Sequence, residues 1–158
     1  TGEVMGIDSD IRKAFAKSQI AAGNELPLSG TAFISVKDDD KPRASDIARN
    51  LVKLGFDILA TSGTAAYFND KGVKCSHVNK VMEGRPHIVD RIKNGDVQLI
   101  VNTTFGEKAI AQSYSIRRNA LIHRVPYYTT IEGAAAAAGA IDIIVTEGLD
   151  VKAIQDYY

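Results

Sequence analysis

The sequence predicts an α/β protein of three layers, in which a parallel sheet of about five strands lies between helices on both faces. Short apolar runs, which are typical of buried strands, alternate with longer segments whose apolar residues recur at helical spacing. Such alternation indicates parallel strands joined by helical crossovers. The chain has 158 residues, which is enough for one domain with a sizeable core.

The chain is predicted to begin with a helix over residues 8–22, capped by Asp8 or Ser9. Gly23 ends this helix, and residues 24–30 read as a linker. Because the chain starts at Thr1 rather than at Met, we expect it to be part of a longer protein. We therefore assign residues 1–29 to a segment that joins a preceding domain, and residues 30–158 to the domain itself.

Two strand–helix pairs and a third strand are predicted for the first half of the domain. A charged loop, residues 37–41, follows the first strand, and Pro42 is well placed as the first residue of a helix that Gly55 ends. The helix after the second strand ends at Gly72, and the third strand places Cys75 in an apolar core. The three strands are predicted at residues 31–36, 57–60 and 73–78.

Two further strands and three helices are predicted for the second half. Pro86 starts a helix that ends at Gly95, and Thr129 and Glu132 have the spacing of a capping box ahead of an alanine-rich helix. The strands are predicted at residues 97–101 and 125–128, and the other helices at about residues 108–123 and 134–140. The chain is predicted to end with an extended piece at residues 141–146 and a terminal turn or helix at residues 151–158.

Polar donors follow four of the predicted strands at the point where each strand ends. In a parallel, Rossmann-like sheet, ligands bind in the crevice outside the carboxyl ends of the strands. Acidic groups are rare at these positions, apart from the aspartates of the first loop. We therefore predict an anion site at this edge of the sheet. The strand ends carry residues 37–41, then Thr61-Ser62-Gly63-Thr64, then Asn79-Lys80, then Asn102-Thr103-Thr104.

The turn at residues 61–64 is the strongest single indication of an anion site. It joins a predicted strand directly to a helix, and the first amides of a helix lack intrahelical partners and carry partial positive charge. Thr61, Ser62 and Thr64 add hydroxyl donors, and Gly63 allows a phosphate to approach the backbone. By itself the segment also fits an ordinary capped helix, because Ser and Thr are common N-caps.

The composition restricts the classes of function. Nineteen basic residues balance nineteen acidic ones, whereas a general nucleic-acid binder carries a basic excess. Cys75 is the single cysteine, so we expect no internal disulfide and a reducing compartment. The three histidines lack the spacing of metal ligands, so we expect no metal site. No apolar run approaches the roughly 18 residues that cross a bilayer.

The residues near the predicted site do not form a recognisable catalytic group. An enzyme on this scaffold needs a general base or nucleophile there, and no Ser-His-Asp or Cys-His pairing suggests itself. His87 follows Pro86 at a helix start and is interpreted as a capping or packing residue, whereas Arg85 can pair with Glu83 or with a ligand phosphate. We predict no catalytic residue among the candidates Asp38, Asp39, Asp40, Glu83, His87 and Asp90.

Four stretches of the sequence resemble a known family. They read TGEVMGI, GFDILATSGTA, VNKVMEGRPHIVDRIKNGDVQLIVNTT and IRRNALIHRVPYYTT, and they span most of the chain. The chain resembles the C-terminal regulatory domain of the carbamoyl phosphate synthetase large subunit, which has the methylglyoxal-synthase-like fold. The opening TGEVMGI is similar to the end of the ATP-grasp domain that precedes this region in the family.

The resemblance implies a regulatory role without chemistry in this domain. The parent enzyme is a ligase that makes carbamoyl phosphate from bicarbonate, the amide nitrogen of glutamine and ATP, for pyrimidine and arginine synthesis. In the family, the domain binds UMP as an inhibitor and IMP at an overlapping site. By position, the implied phosphate contacts are Lys41, Thr61, Gly63, Thr64 and Lys80, with Asn102, Thr103 and Thr104 at the ribose and phosphate, and Ser35 nearby. The hydroxyl of Ser62 completes the predicted set.

The family also binds ornithine as an activator, where this domain meets the synthetase body. The residues implied for that contact are Tyr127 and Thr129. Where the family reads Tyr-Asp-Thr, this chain reads Tyr127-Tyr128-Thr129. The expected carboxylate is therefore replaced by a phenol, and ornithine regulation is left open.

The resemblance further implies the partners and setting of the parent enzyme. The expected partners are UMP- or IMP-type effectors, the rest of the large subunit and the small glutaminase subunit, with no nucleic acid and no membrane. We expect no cofactor in this domain, whereas the full-length enzyme uses ATP, Mg²⁺ or Mn²⁺, and K⁺. The expected location is cytoplasmic, and oligomerisation of the parent enzyme is left open.

Other functions use a similar fold. A stand-alone methylglyoxal synthase, which is a phosphate-eliminating lyase, needs a catalytic aspartate and histidine in loops that here read EGRPHI and NTTFGE. A purine-cyclising domain of related fold needs a lysine-bearing loop after the third strand, which is not matched. A plain interaction module is the remaining alternative, and fold analogy alone does not separate these functions.

Overall fold

The computed structural model describes residues 2–103 and 107–157, with the side chains of residues 107–112 outside the description. The helices of these ranges are α1 (Ile11–Ala21), α2 (Lys41–Lys53), α3 (Ser62–Asp70), α4 (Ile88–Lys93), α5 (Glu107–Ile122) and α6 (Ile131–Thr146). The strands are β1 (Thr31–Ser35), β2 (Asp57–Ala60), β3 (Ser76–His77), β4 (Leu99–Asn102) and β5 (Tyr127–Tyr128). From β1 onward, strands and helices alternate as the sequence predicts.

The five strands form one parallel sheet in the order β3-β2-β1-β4-β5. The parallel sheet confirms the predicted fold class. β1 and β4 are neighbours, although β2 and β3 lie between them in the chain. The order therefore changes direction between β1 and β4, and such a switch point opens a crevice at the carboxyl ends of the two strands.

Two apolar clusters cover the two faces of the sheet. Ala32 and Ile34 of β1 pack in a cluster with α1, α2, α3 and α6, whereas Phe33 between them packs with α4 and α5. In β4, Leu99 belongs to the first cluster and Ile100 to the second. This alternation follows from the two-residue period of a strand, and it confirms three layers.

The N-cap of the first helix is Asp10, which lies one or two residues after the predicted caps. The side chain of Asp10 caps α1 by accepting a hydrogen bond from the Arg12 N–H at 2.8 Å. Asp8 instead forms an ion pair with Lys17, with 2.7 Å between the carboxylate and the ammonium. The predicted cap at Asp8 or Ser9 is therefore wrong, because the Asp8 carboxylate is engaged elsewhere.

The third strand is shorter than predicted, and Cys75 lies outside it. β3 contains only Ser76 and His77, and both are exposed. The Asn69 side chain binds the backbone of Cys75 through hydrogen bonds of 3.3 and 3.4 Å, which ties this segment to α3 instead of to β2. Cys75 is half-buried, and burial raises the pKa of its thiol to about 11, so an inert thiol remains the interpretation.

The last helix is longer than predicted. Residues 141–146 belong to α6, so the predicted extended piece is wrong. Ile141 and Ile143 are buried in this part of the helix, and Ile141 packs in the first apolar cluster. Thr130 caps α6 by accepting from the Gly133 N–H at 3.1 Å. Glu132 pairs with Arg43 instead, so the predicted capping box is also wrong.

Two smaller predictions concern helix ends. α2 begins at Lys41 with Pro42 in its first turn, close to the predicted start. α4 begins at Ile88, and His87 is its N-cap, so Pro86 precedes the helix instead of opening it.

Residues 154–157 form a 3₁₀ turn, which confirms the predicted terminal turn. The division of the chain at residues 29 and 30 stays a prediction.

Candidate anion-binding site

Four hydroxyl side chains meet at the carboxyl ends of β1, β2 and β4, beside the switch point. We call Ser35, Thr61, Thr64 and Thr103 the hydroxyl rim. The Ser35 and Thr61 hydroxyl oxygens lie 2.9 Å apart, and the Thr103 N–H donates to the Ser35 carbonyl oxygen at 3.1 Å. The three threonines are buried, with 4%, 2% and 6% of their surface exposed. The structure thus brings together four of the predicted site residues.

The hydroxyl hydrogens of this rim are available to a ligand. The Val36 N–H donates to Thr64 Oγ1 at 3.3 Å, and the Lys37 N–H donates to Thr103 Oγ1 at 3.2 Å. Each of these hydroxyl oxygens accepts from the backbone, and the hydrogen bonds among the described residues leave its own hydrogen available to donate. Within the Ser35–Thr61 pair, only one hydroxyl donates to the other. The rim therefore retains donors that an anion can use.

Helix α3 starts at this rim without a side-chain cap. Thr61 occupies the N-cap position, but its side chain makes no capping hydrogen bond. Its hydroxyl pairs with Ser35 instead. The amides of the first turn of an α-helix have no intrahelical acceptor and carry the positive end of the helix dipole. An uncapped start beside free hydroxyl donors favours a bound anion.

A lysine ammonium lies beside the same helix start. Lys41 Nζ is 3.6 Å from the position that a Cβ on Gly63 would occupy. It also forms an ion pair with Asp38 at 2.7 Å and thereby lowers the pKa of that carboxyl. The Asp38 side chain is 92% exposed. Since exposed ion pairs contribute little, a ligand phosphate can replace Asp38 as the partner of Lys41.

Ser62 and Lys80 lie farther from the hydroxyl rim. Ser62 is exposed, and its hydroxyl oxygen is 3.0 Å from His77 Nε2. The Val78 N–H donates to the Ala60 carbonyl at 2.9 Å, so the exposed Lys80 follows β3 at the same edge of the sheet. Within the described residues, no hydrogen bond joins either side chain to the hydroxyl rim.

Asn102 connects the site to the outer strand β5. Its side-chain amide, 3% exposed, donates to the Tyr127 hydroxyl at 3.3 Å, and Arg117 Nε donates to the same oxygen at 3.1 Å. Arg117 was not among the predicted site residues, although two adjacent arginines, Arg117 and Arg118, in the helix directly before β5 indicated a possible anion contact. Thr129 is exposed, and Thr104 lies outside the described residues.

A cavity of about 460 Å³ lies beside Tyr127. Arg117 and Arg124 line it together with Tyr127 and Tyr128, and no aspartate or glutamate stands among the described residues of its lining. The Tyr128 hydroxyl donates to Gln19 at 3.1 Å, and burial raises its pKa to about 12. The cavity therefore favours anionic groups over ammonium groups.

The candidate catalytic residues have structural partners. His87 Nδ1 accepts from the Asp90 N–H at 3.3 Å, which agrees with the capping interpretation. Arg85 binds the Asp90 carboxylate, not Glu83, and lowers the pKa of Asp90. Glu83 accepts from the Lys80 N–H at 2.8 Å. Each of these polar groups is thus explained by the packing of the loop before α4.

Two classes of feature are absent from the described part of the chain. Across residues 2–103 and 107–157, no helix combines the length and the apolar character that crossing a membrane requires. In the same ranges, no three His, Cys, Asp or Glu residues group as metal ligands would.

Comparison with known proteins places the chain beside carbamoyl phosphate synthase. The large chain from Myxococcus xanthus is 54% identical over 157 residues, which cover 99% of this chain and 14% of that protein. The protein named as the C-terminal section of the large chain in Methanopyrus kandleri is 51% identical over 159 residues, 100% of this chain and 29% of that protein. The chain therefore spans a small part of the length of these relatives.

The fold and the family agree with this similarity. A crystal structure of methylglyoxal synthase from Elizabethkingia anophelis matches with a TM-score of 0.56 and 16% identity, covering 84% of this chain and 91% of that one. At this identity the match concerns the fold. The family description "MGS-like domain" matches residues 43–129, which is more than half of the chain. The chain is a member of the MGS-like domain family.

Proposed function

We propose that this chain is the allosteric domain of a glutamine-dependent carbamoyl phosphate synthase large chain, and that its hydroxyl rim binds the phosphate of a nucleoside monophosphate. UMP is the proposed inhibitor, and IMP the proposed ligand of an overlapping site. Binding would regulate carbamoyl phosphate synthesis for the pyrimidine and arginine pathways. An allosteric coupling of about 1–3 kcal/mol is typical of such regulation.

One observation carries the proposal: buried hydroxyls, whose hydrogens are available among the described residues, converge on an uncapped helix start beside the Lys41 ammonium. Each charge-assisted hydrogen bond contributes roughly 1.5–3 kcal/mol, and the helix dipole adds about 0.3–1 kcal/mol. After the cost of ordering the ligand, several such bonds reach about −8 kcal/mol, which corresponds to micromolar affinity.

The predicted residues divide into two groups in this proposal. Lys41, Gly63 and Thr64 surround the phosphate at the start of α3, together with Thr61 and Ser62. Lys80 adds a second ammonium from the loop after β3. Asn102 and Thr103 lie on the other side of the switch point and serve the ribose and phosphate, a role that Thr104 would share. Ser35 lies nearby at the end of β1, beside Thr61.

The remaining parts of the proposal concern the whole enzyme. The similar proteins are named as carbamoyl phosphate synthase large chains. We propose that catalysis, with ATP, Mg²⁺ or Mn²⁺, and K⁺, belongs to the rest of that large chain acting with a small glutaminase subunit in the cytoplasm. This domain would need no cofactor of its own.

The proposal does not extend to ornithine. Ornithine carries two ammonium groups, which require carboxylate partners. The cavity beside Tyr127 is lined by Arg117 and Arg124, and none of the lining residues that the structure describes is acidic. Ornithine control of this chain would therefore need acidic groups from another part of the enzyme.

A lyase of the methylglyoxal synthase type is the alternative, favoured by the shared fold. Such an enzyme needs a free carboxylate and a free imidazole at the phosphate site. In this chain, Asp90 is bound by Arg85, and His87 caps α4. These contacts support the regulatory proposal over the lyase.

Titration of the chain with UMP, IMP and dihydroxyacetone phosphate, while methylglyoxal is assayed, tests the two functions together. We expect UMP to bind in the micromolar range, with no methylglyoxal formed. Turnover of the triose phosphate would contradict the regulatory function. Absence of binding by both nucleotides would contradict the proposed ligand class.

A further inference from the structure

The loop between β3 and α4 is closed at its base. We call residues 80–87 the Lys80 loop. The Ile88 N–H donates to the Asn79 carbonyl at 3.1 Å, and Asn79 and His87 pair in an isolated parallel bridge. The chain therefore leaves and re-enters the loop at one point, although most of the loop is exposed.

The Asp90 carboxylate ties the end of this exposed loop to the core, whereas Val81 packs against the second apolar cluster near its start. Asp90 accepts a hydrogen bond from the His87 N–H at 3.0 Å, and the Arg85 guanidinium donates to both of its oxygens, with 3.2 Å to Nε. Asp90 lies on α4, which the core holds through Ile88 and Ile92, both 0% exposed. Asp90 thus connects two loop residues to a helix that is anchored in the core.

The other end of the loop fixes the backbone of Lys80. The Lys80 N–H donates to the Glu83 carboxylate at 2.8 Å, and the Glu83 N–H donates to the Lys80 carbonyl at 3.0 Å. This reciprocal pair makes a rigid turn at the start of the loop. The direction in which the turn presents Lys80 then depends on how the rest of the loop is held.

We propose that Asp90 is a positioning residue for nucleotide binding: by holding Arg85 and the His87 N–H, it keeps the Lys80 loop closed against α4, so that the Lys80 ammonium is presented at the anion site. This inference rests on the proposed function. A loop that is ordered beforehand avoids the loss of affinity that ordering during binding causes. Asp90 would therefore increase affinity without touching the ligand.

The first test is calorimetric titration of the chain with UMP in four forms: unmodified, Lys80→Ala, Asp90→Asn, and the double variant. We expect Lys80→Ala to weaken binding about tenfold and Asp90→Asn about fivefold. In the Lys80→Ala background, Asp90→Asn should weaken binding less than about twofold, because coupled residues are not additive. Asp96→Asn is the matched control, since Asp96 pairs with Arg91 at 3.4 Å just after α4, and it should leave affinity unchanged.

A second variant and a second measurement keep the test independent of folding. The Arg85 side chain is 75% exposed, so Arg85→Ala should fold, weaken UMP binding about twofold to threefold, and be partly rescued by Arg85→Lys. Hydrogen–deuterium exchange without ligand should become faster over residues 80–88 in Asp90→Asn and stay unchanged over residues 57–70.

The outcomes separate the inference from the proposed function. Equal loss of affinity from Asp90→Asn in both backgrounds, or unchanged exchange over residues 80–88, would overturn the positioning role while UMP binding itself stands. If the unmodified chain does not bind UMP, the proposed function fails and the inference fails with it.

Discussion

The hydroxyl rim and the Lys80 loop contribute to one proposed site in opposite ways. The threonines of the rim are buried, and Thr64 and Thr103 accept hydrogen bonds from the backbone just after β1. The loop, in contrast, is mostly exposed and is held by a carboxylate from α4. A rim residue therefore serves both the fold and the ligand. A loop residue serves the ligand with little effect on the fold. Substitutions in the two regions should therefore differ in how much they lower the unfolding free energy.

The two proposed phosphate-binding lysines show the same contrast. Lys41 is half-buried at the start of α2 and already paired with Asp38, so its ammonium is held near Gly63 before a ligand arrives. Lys80 is exposed and depends on the loop for its position. A fixed cation loses less freedom on binding than a mobile one. We therefore expect the contribution of Lys41 to nucleotide affinity to depend less on the loop than that of Lys80.

Thr64→Val should have the largest effect, because it removes a donor from the site and an acceptor from the fold. The Val36 N–H would lose its partner, which costs about 1–3 kcal/mol of unfolding free energy. UMP affinity should fall about tenfold or more. Urea denaturation and calorimetry measure the two effects. Thr146→Val, at an exposed threonine of α6, is the control. Unchanged UMP affinity in Thr64→Val would contradict the proposal that Thr64 binds the phosphate.

Lys41→Ala should separate binding from stability. We expect about a tenfold loss of UMP affinity with less than about 1 kcal/mol change in unfolding free energy, because Asp38, the ion-pair partner of Lys41, is exposed. Lys37→Ala is the matched control, since Lys37 lies in the same loop and its ammonium is 3.9 Å from Asp40. If both substitutions lower the affinity equally, general charge and not the position of Lys41 governs binding.

Gly63→Ala should affect binding and stability in opposite directions. The added Cβ would lie 3.6 Å from Lys41 Nζ, an ordinary contact, and alanine in a helix raises the unfolding free energy by up to about 1 kcal/mol. The methyl group would obstruct the phosphate, so affinity should fall about threefold. Gly139→Ala in α6 should share the stability effect alone. If Gly63→Ala leaves the UMP affinity unchanged, the phosphate does not bind at this helix start.

The smallest expected effect is a pH dependence of stability from the Lys80 loop. Arg85 and the His87 N–H lower the pKa of Asp90 in the folded protein. Its contribution is therefore complete above the unfolded value, about 3.9, and is lost as the pH falls through the lower folded value. The difference in Tm between the unmodified chain and Asp90→Asn should shrink below about pH 4. A Tm difference that stays constant down to pH 2 would contradict the proposed role of Asp90 in holding the Lys80 loop.

The sheet and the hydroxyl rim could be predicted because their signals are local in the sequence. Apolar runs such as residues 57–60 lead directly to Thr61 and Thr64, and the carboxyl ends of parallel strands must meet at one edge. The pairing of Ser35 with Thr61 was not predictable, because it depends on the register of two strands.

The errors arose where side-chain hydrogen bonds and packing contacts override the pattern of apolar residues. β3 is short because Asn69 binds the backbone of Cys75, and α6 continues past residue 140 because Ile141 packs in the first apolar cluster. The partner of Arg85 was also missed, because Glu83 is nearer in sequence but Asp90 is fixed on α4.

Amide NMR spectra of the chain, recorded while UMP is added, test the central claim most directly. We expect the largest shift changes at Gly63, Thr64 and Thr103, with smaller changes in the Lys80 loop and none on α1. Saturating changes confined to another surface, or no changes in the hydroxyl rim, would contradict the claim that this edge of the sheet holds the nucleotide phosphate.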